Sequence, residues 1–433
     1  MSKNDIAVII LAAGKGTRMN SDLPKILHTV CGKAMIEHVI NTAQNLNPNK
    51  IITVVNNDVL EQVMHLNQLS EFVVQEQQLG TADAVKPALE KLKDFKGSVV
   101  IVYADTPLIT SDTLSEMLGR LVESDVVVLG FEAENPGEYG RLIIDEEGCL
   151  KEIVEYKDAD LMQKQINLCN SGVIAAKSGV LSEAVFKIDN NNKKAEYYLT
   201  DIIKIANKAK QKCSFILCKE EEVLGVNNRV QLSDVEYILQ QKLRYRAMTD
   251  GVTLIDPKTV YFSFDTVLGK DVVIHPNVVF GSKVRIEDNV EIKSFSHIEG
   301  AIIASECIVG PFARIRPGTK LERGARVGNF VEIKKAKIGK GSKIGHLSYI
   351  GDATLGDKVN IGAGTVTCNY DGKNKHKTNI ESGAFIGSNT SIVAPVNIGT
   401  GAVVAAGSTI TKNVDSNSLA IARSHQIIKK KKK

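Results

Sequence analysis

What is scarce in this 433-residue sequence removes whole classes of protein. Its seven cysteines (Cys31, Cys149, Cys169, Cys213, Cys218, Cys307 and Cys368) have no paired spacing, and the closest two, Cys213 and Cys218, sit at opposite ends of one strand-like run. A disulfide scaffold is therefore excluded, and reduced thiols in a cytoplasmic protein are expected. No apolar run approaches the roughly 20 residues of a membrane-spanning helix, and the polar start Ser2-Lys3-Asn4-Asp5 lacks the apolar segment of a secretion signal. Excess charge is missing too. The 54 Lys and Arg against 50 Asp and Glu leave a net +4, part of it from the tail Lys429 to Lys433, so nucleic acid is not an expected partner.

What is present divides into two grammars. Up to about residue 226, apolar runs alternate with helical patterns: Ile6–Leu11, Ile51–Val55, Phe72–Gln75, Val99–Tyr103, Val126–Phe131, Gly172–Ala176 and Phe215–Leu217 read as strands. Met35–Leu46, Ala82–Leu92 and Tyr198–Ala209 read as helices. Such alternation predicts an α/β domain with a mostly parallel sheet, whose ligands bind at the C-terminal strand ends. A charged amphipathic helix from Asn228 to Met248 should connect it to the remainder.

Beyond Gly251 the period becomes six. Aliphatic or aromatic residues recur at Ile274, Phe280, Ile286, Ile292 and Ile298, at Val309, Ile315, Leu321, Val327 and Ile333, then, after one-residue slips, at Ile338, Ile344, Ile350, Leu355 and Ile361. They resume at Ile386, Ile392, Ile398, Val404 and Ile410, many followed by glycine. This repeat predicts a parallel β-helix with these side chains pointing inward. Between about Thr367 and Phe385 the period breaks at a polar, basic loop, Cys368 to Lys377, which is either a tolerated insertion or a site.

Leu11-Ala12-Ala13-Gly14-Lys15-Gly16-Thr17-Arg18-Met19, followed by Pro24-Lys25, opens the first half as a strand breaking into a cationic glycine loop. Glycines and cations suit phosphate, although a glycine turn after a strand is often only a turn. It matches neither the triphosphatase loop nor the dinucleotide fingerprint, whose third glycine is replaced by Met19. Asp105, just past the most apolar run, either caps the next helix or holds magnesium, with Asn227 as a possible second ligand. Gln75, Gly80-Thr81, Gly140, Glu155 and Asn170 interrupt other apolar segments where strands should end.

These motifs, with QLGT at Gln78–Thr81, Tyr139-Gly140-Arg141, IVEYKDA at Ile153–Ala159, EYYLTD at Glu196–Asp201 and GVNNR at Gly225–Arg229, resemble sugar-phosphate nucleotidylyltransferases. Joined to GPFARIRPG, GHLSYIGDA and VNIGAGTVTCNYDG in the repeat half, nearly the whole chain resembles the bifunctional N-acetylglucosamine-1-phosphate uridyltransferase/glucosamine-1-phosphate acetyltransferases. The resemblance implies a Rossmann-like nucleotidyltransferase domain over 1–227, a connecting helix over 228–250, and a left-handed parallel β-helix with a basic tail over 251–433. It implies a homotrimer, UTP and acetyl-CoA as co-substrates, Mg2+ as cofactor, and glucosamine 1-phosphate and N-acetylglucosamine 1-phosphate as sugar substrates.

By that resemblance Leu11, Ala12, Ala13, Gly14, Gln75, Gly80, Thr81 and Tyr103 hold the nucleotide, and Arg18 and Lys25 neutralise its phosphates. Gly140, Glu155 and Asn170 recognise the amino sugar, and Asp105 and Asn227 hold the metal. In the repeat half His346 is implied as general base. Arg316, Lys334, Tyr349 and Asn360 take the sugar phosphate; Ala363, Asn369, Tyr370, Ser388, Ala406 and Arg423 line the acetyl-CoA site. Two departures stand out: Ala104 where glycine is usual, and Ala82-Asp83 in place of Gly-His. The alternatives are a single-activity nucleotidylyltransferase with an oligomerising or regulatory β-helix, which has no reason to carry His346, Asn369-Tyr370 and Arg423, and a structural or interaction rod beside an inert α/β domain, which leaves Lys25, Asp105 and Asn227 unexplained.

Overall fold

A computed structural model describes residues 5–66 and 70–431, so Ser2, Lys3 and Asn4 of the polar start and Lys432 and Lys433 of the tail lie outside the described residues. The chain splits into two compact units, Met1–Leu239 and Gln240–Lys433. The division falls within the helix Arg229–Thr249, where a connecting helix is expected. Among the described residues no helix is long and apolar enough to cross a membrane.

In the first unit the main sheet is built from β1 (Ile6–Leu11), β2 (Lys50–Val55), β3 (Glu71–Val74), β4 (Ser98–Tyr103), β5 (Val126–Glu132), β6 (Arg141–Ile144), β7 (Leu150–Val154), β8 (Leu168–Lys177) and β9 (Cys213–Leu217). Its central order is β9-β5-β8-β4-β1-β2-β3. The runs Ala7–Ile10 and Val99–Val102 are fully buried because helices cover both faces, as parallel strands require. Helix α1 (Met35–Gln44) covers one face with Ile36, Val39, Ile40 and Ala43; α2 (Asn57–Met64) joins it, and α3 (Thr81–Lys91) covers the other with Val85, Ala88 and Leu89.

Three expectations change. The run read as Gly172–Ala176 is the middle of the longer β8, which is antiparallel to both β4 and β5 and has a register shift between Asn170 and Ile174. The helix expected over Tyr198–Ala209 begins as a 3-10 turn, Leu199–Asp201, before Ile202–Lys208. Arg141 and Val154 pair across an antiparallel β6–β7 hairpin that the strand-helix reading did not contain.

In the second unit the described strands form three parallel sheets. The first face runs from Thr253–Leu254 to Leu419–Ala420, the second from Val279–Phe280 to Thr409–Ile410, and the third from Val267–Leu268 to Val396–Ile398. This is the architecture of a β-helix with hexapeptide coils, consistent with the left-handed form. All twenty registered positions are at most 4% exposed, so the period of six reports the inward column of each face. The break is narrower than expected, because Ile380 is buried and pairs in register with Leu355 and Ile398, leaving 369–377 as the extruded loop. Ile303 is likewise an inward position, at the slip after Ile298.

The second-face column has one polar member. Thr367 lies between Ile350 and Ile392 in the column; its Oγ1 accepts from the Gly351 N–H at 2.8 Å and donates to the Gly351 carbonyl at 3.1 Å. Thr367→Val keeps the shape and strands a buried N–H, which costs about 1–3 kcal/mol. Chemical denaturation of the β-helix should show that loss, and an unchanged midpoint would mean Gly351 finds another partner.

Candidate functional site

Leu11, Ala12, Ala13, Gly14, Lys25, Gln75, Gly80, Thr81, Tyr103 and Asp105 line one cavity of about 240 Å³ in the first unit. It opens where the parallel strands β1, β3 and β4 end, as strand polarity dictates. Asn56 caps α2 by accepting from Val59 N–H at 3.1 Å, and its amide donates to the Ala13 carbonyl at 3.1 Å, which holds the loop against a helix start. Gly16 has φ +62°, and a Cβ there would lie 2.5 Å from Lys25 Cβ. This glycine is required for the lysine to approach.

Lys25 is the meeting point. Its Nζ forms an ion pair with Asp105 and donates to Asn227 Oδ1 at 3.1 Å, and Arg18 Nη2 donates to the same Asn227 oxygen at 3.1 Å. The Val226 N–H donates to the Asp105 carbonyl at 2.9 Å, fixing the two distant segments side by side. Asp105 caps nothing, since Thr110 accepts from Thr113 N–H to start the helix Ser111–Arg120. A carboxylate and an amide oxygen converging on one cation are a donor set that fits a hard divalent ion. His28, three residues after Lys25, is buried and turned toward Arg229 Nη1 at 3.1 Å, and burial and that charge lower its pKa.

Gly140 and Asn170 form a second group outside that cavity lining, while Glu155 lines another cavity, of about 230 Å³, with Asp158, Thr200 and Asp201. Asn170 N–H donates to the Gly140 carbonyl at 2.8 Å, and Glu155 Oε1 accepts from Thr200 Oγ1 at 3.1 Å. Tyr103 joins the two groups: Gly172, at φ +90°, lets its ring approach, it bonds Thr81, and the charges of Glu155 and Asp105 add to burial in raising its pKa. Sequence reasoning passed over Glu196 of the EYYLTD motif, which also lines the cavity. The neighbouring Tyr197 holds the cavity rim through its backbone, which meets Gly80 so closely that a Cβ there would lie 2.5 Å from its carbonyl.

In the β-helix, register does the placing. His346, Ala363, Ser388 and Ala406 each stand two residues past an inward side chain of the first face: Ile344, Ile361, Ile386 and Val404, which pair in succession. They form one column on successive coils. Asn329 is level with His346, and its Oδ1 lies 2.6 Å from His346 Nδ1; with Nδ1 donating, Nε2 carries the free lone pair. Arg423 donates to the Ala406 carbonyl at 2.7 Å, which brings the C-terminal segment to the same column. Asn369 is anchored to Asp352, while the Tyr370 ring is 60% exposed.

The second face, which follows the His346 corner, carries Tyr349, Lys334 and Arg316. Arg316 Nη1 pairs with Glu332 at 2.6 Å. The charges of Lys375 and then Arg316 lower the Lys334 pKa, so the extruded loop contributes a third cation. Lys375 escaped the sequence reading because it is one of three alternate lysines, Lys373, Lys375 and Lys377, in that loop. Asn360 does not join: it opens the two-residue strand Asn360–Ile361, level with Lys343 and Phe385, three positions before Ala363 of the His346 column.

Glu155 titration is testable on stability. Burial, only partly offset by Thr200 and Lys194, holds its carboxyl above the ordinary range. A raised carboxyl favours the folded state fully below its unfolded pKa, and that contribution is lost as pH rises through the folded value. Glu155→Gln keeps the Thr200 bond without titrating, so its melting temperature relative to the parent should rise as the pH is raised above the ordinary carboxylate range. A difference independent of pH would contradict the burial of this carboxylate.

Comparison with known proteins agrees with both halves. The MobA-like NTP transferase domain matches residues 8–167, the bacterial transferase hexapeptide (six repeats) matches 265–300, and the hexapeptide repeat of succinyl-transferase matches 377–412. At full length the chain is similar to the bifunctional protein GlmU of Paramagnetospirillum magneticum, 50% identical over 430 residues that cover 99% of this chain and 95% of that protein. GlmU of Paracoccus denitrificans is 48% identical over 432 residues (99% and 96%), and that of Wolbachia pipientis 46% over 424 residues (98% of each).

Proposed function

The chain belongs to the family of bifunctional GlmU proteins, and on that premise we propose that its halves run two consecutive reactions. The β-helix acetylates glucosamine 1-phosphate with acetyl-CoA. The α/β half transfers UMP from UTP to the resulting N-acetylglucosamine 1-phosphate, giving UDP-N-acetylglucosamine, a precursor for peptidoglycan and lipopolysaccharide, and pyrophosphate. The observation that carries this reading is the presence of two separately built sites: an anion-binding cavity centred on Lys25 and a histidine with an oriented ring beside a cationic face.

In uridylyl transfer a sugar-phosphate oxygen attacks the α-phosphorus of UTP and pyrophosphate leaves. The task is alignment and charge neutralisation. Leu11 to Gly14 cradle the nucleotide with Gln75, Gly80 and Thr81, while Lys25 and Arg18 face the phosphates. Glu155 and Asn170 orient the sugar, and Gly140 leaves room for it. Asp105 and Asn227 would hold Mg2+, which supplies further charge neutralisation on the phosphate oxygens.

In acetyl transfer the amine of glucosamine 1-phosphate attacks the thioester carbonyl, the carbon–sulfur bond breaks and coenzyme A leaves as the thiol. Nε2 of His346 takes the amine proton, and Asn329 keeps it available by holding Nδ1. Arg316, Lys334 and Lys375 bind the phosphate, and Tyr349 packs beside them. Ala363, Ser388 and Ala406 leave a low column for the coenzyme, flanked by Asn369, Tyr370 and Arg423.

Asn360 enters this site from a neighbouring copy in a homotrimer. Its separation from the His346 column supports that assignment. So does the ladder of Phe295, Phe312 and Phe330, whose rings stack at 4.9 and 5.1 Å while remaining about half exposed and which, with exposed Leu347, offers apolar surface to a second copy.

A two-channel assay tests the division of labour. His346→Ala should lose thiol release and keep pyrophosphate release, and Asp105→Asn should do the reverse; loss of both activities in a folded chain would sink the two-site reading. Mixed assembly tests the shared site. Trimers formed from His346→Ala and Asn360→Ala chains should regain up to about a quarter of acetyl transfer, because random closed assembly pairs the two intact residues at that frequency. No recovery would place both residues in the same chain's site.

A further inference from the structure

Gln75 lines the nucleotide cavity from the end of β3, and its orientation is chemically fixed. Its side-chain nitrogen lies 2.9 Å from Asp83 Oδ2 and 3.2 Å from the Gly80 carbonyl. Both are acceptors, so an amide oxygen cannot take that position, and the two N–H bonds of the carboxamide are spent there. Oε1 is the part of Gln75 left for a ligand. Asp83 itself stays outside the cavity lining, in the first turn of α3, with Lys86 Nζ at 3.9 Å.

We propose that Asp83 is a positioning residue that selects the nucleobase by locking Gln75 as a hydrogen-bond acceptor. The inference rests on the reading of this cavity as the nucleoside triphosphate site. An acceptor matches the imide N3–H of uracil or thymine, whereas cytosine presents a lone pair at N3 and meets Oε1 with repulsion. The N–H groups of Gly80 and Thr81, at the start of α3 where helix donors have no partner within the helix, suit the carbonyls beside that imide. Without Asp83 a single carbonyl holds the amide. The carboxamide can then turn over and offer its N–H2 to cytosine, because a buried polar group discriminates most strongly when the wrong partner leaves it unpaired or opposed.

The test uses the full chain with N-acetylglucosamine 1-phosphate and either UTP or CTP, following pyrophosphate. Asp83→Ala should lower the UTP to CTP ratio of kcat/KM by about tenfold or more, chiefly through a higher KM for UTP. Asp83→Asn still offers an oxygen to Gln75 and should hold the ratio within about threefold of the parent. Acetyl transfer, measured on the same preparations, should be unchanged and reports folding. If Asp83 served only the helix start through its charge, both variants would lose thermal stability alike and keep the parent's ratio, which overturns the proposal. A parent chain without preference for UTP over CTP would overturn the uridine reading of the cavity as well; a clear parental preference kept in Asp83→Ala overturns the positioning role alone.

Discussion

The nucleotide half hangs on one ammonium group. Lys25 Nζ gathers a carboxylate from the end of β4 and an amide oxygen from a segment more than a hundred residues further along, and Gly16 exists as glycine so that the lysine can reach them. The side chains of Lys25 and Asp105 are 10% and 21% exposed, where removal of one partner leaves the other a poorly solvated charge. The contact is therefore structural and chemical at once. It ties the segment at Asn227 and the end of β4 to the loop after β1, and it concentrates charge in the cavity proposed for the triphosphate.

The β-helix solves the same placement problem by counting. Most coils return a residue to the same height and face after seventeen or eighteen positions, as the pairings Val327 to Ile344 and Val309 to Val327 show, and the coil that carries the extruded loop does so from Ile361 to Ile386. A side chain two places past an inward residue is thereby stacked on its counterparts in adjacent coils, which is how His346 comes to share a column with Ala363, Ser388 and Ala406. No long-range side-chain bond is needed for that alignment. The core that enforces it is the inward column, and its exception, Thr367, satisfies its hydroxyl on the backbone of Gly351 in the preceding coil.

That contrast explains what was legible in the sequence. The β1 strand Ile6–Leu11 and the inward isoleucines are set by local period and burial, and the sequence pattern places them correctly. The antiparallel course of β8 was not legible, because a buried strand reads the same in either direction. Asp105 could be read as a helix cap or as a ligand until Thr110 appeared in the capping position. The side to which Asp83 turns depends on Gln75 and Gly80, a contact across a loop that no periodicity encodes. Lys375 was hidden among alternating lysines, and only folding of the loop back toward Lys334 distinguishes it.

That folded loop also shows why an insertion can become part of a site. The Asp371 carboxylate accepts backbone N–H bonds from Asn374 and Lys373 and pairs with His376 at 2.7 Å, which together hold its pKa well below the usual range and lock the tip. Asn369 pins the loop's start to Asp352. A loop tied at both places can hold Lys375 near Lys334 despite their mutual repulsion, which lowers the Lys334 pKa. A dianionic phosphate placed among Arg316, Lys334 and Lys375 is then favoured in two ways, by attraction to each cation and by relief of their repulsion. The rigid coil supplies the first two cations by register, and the locked insertion supplies the one that register cannot.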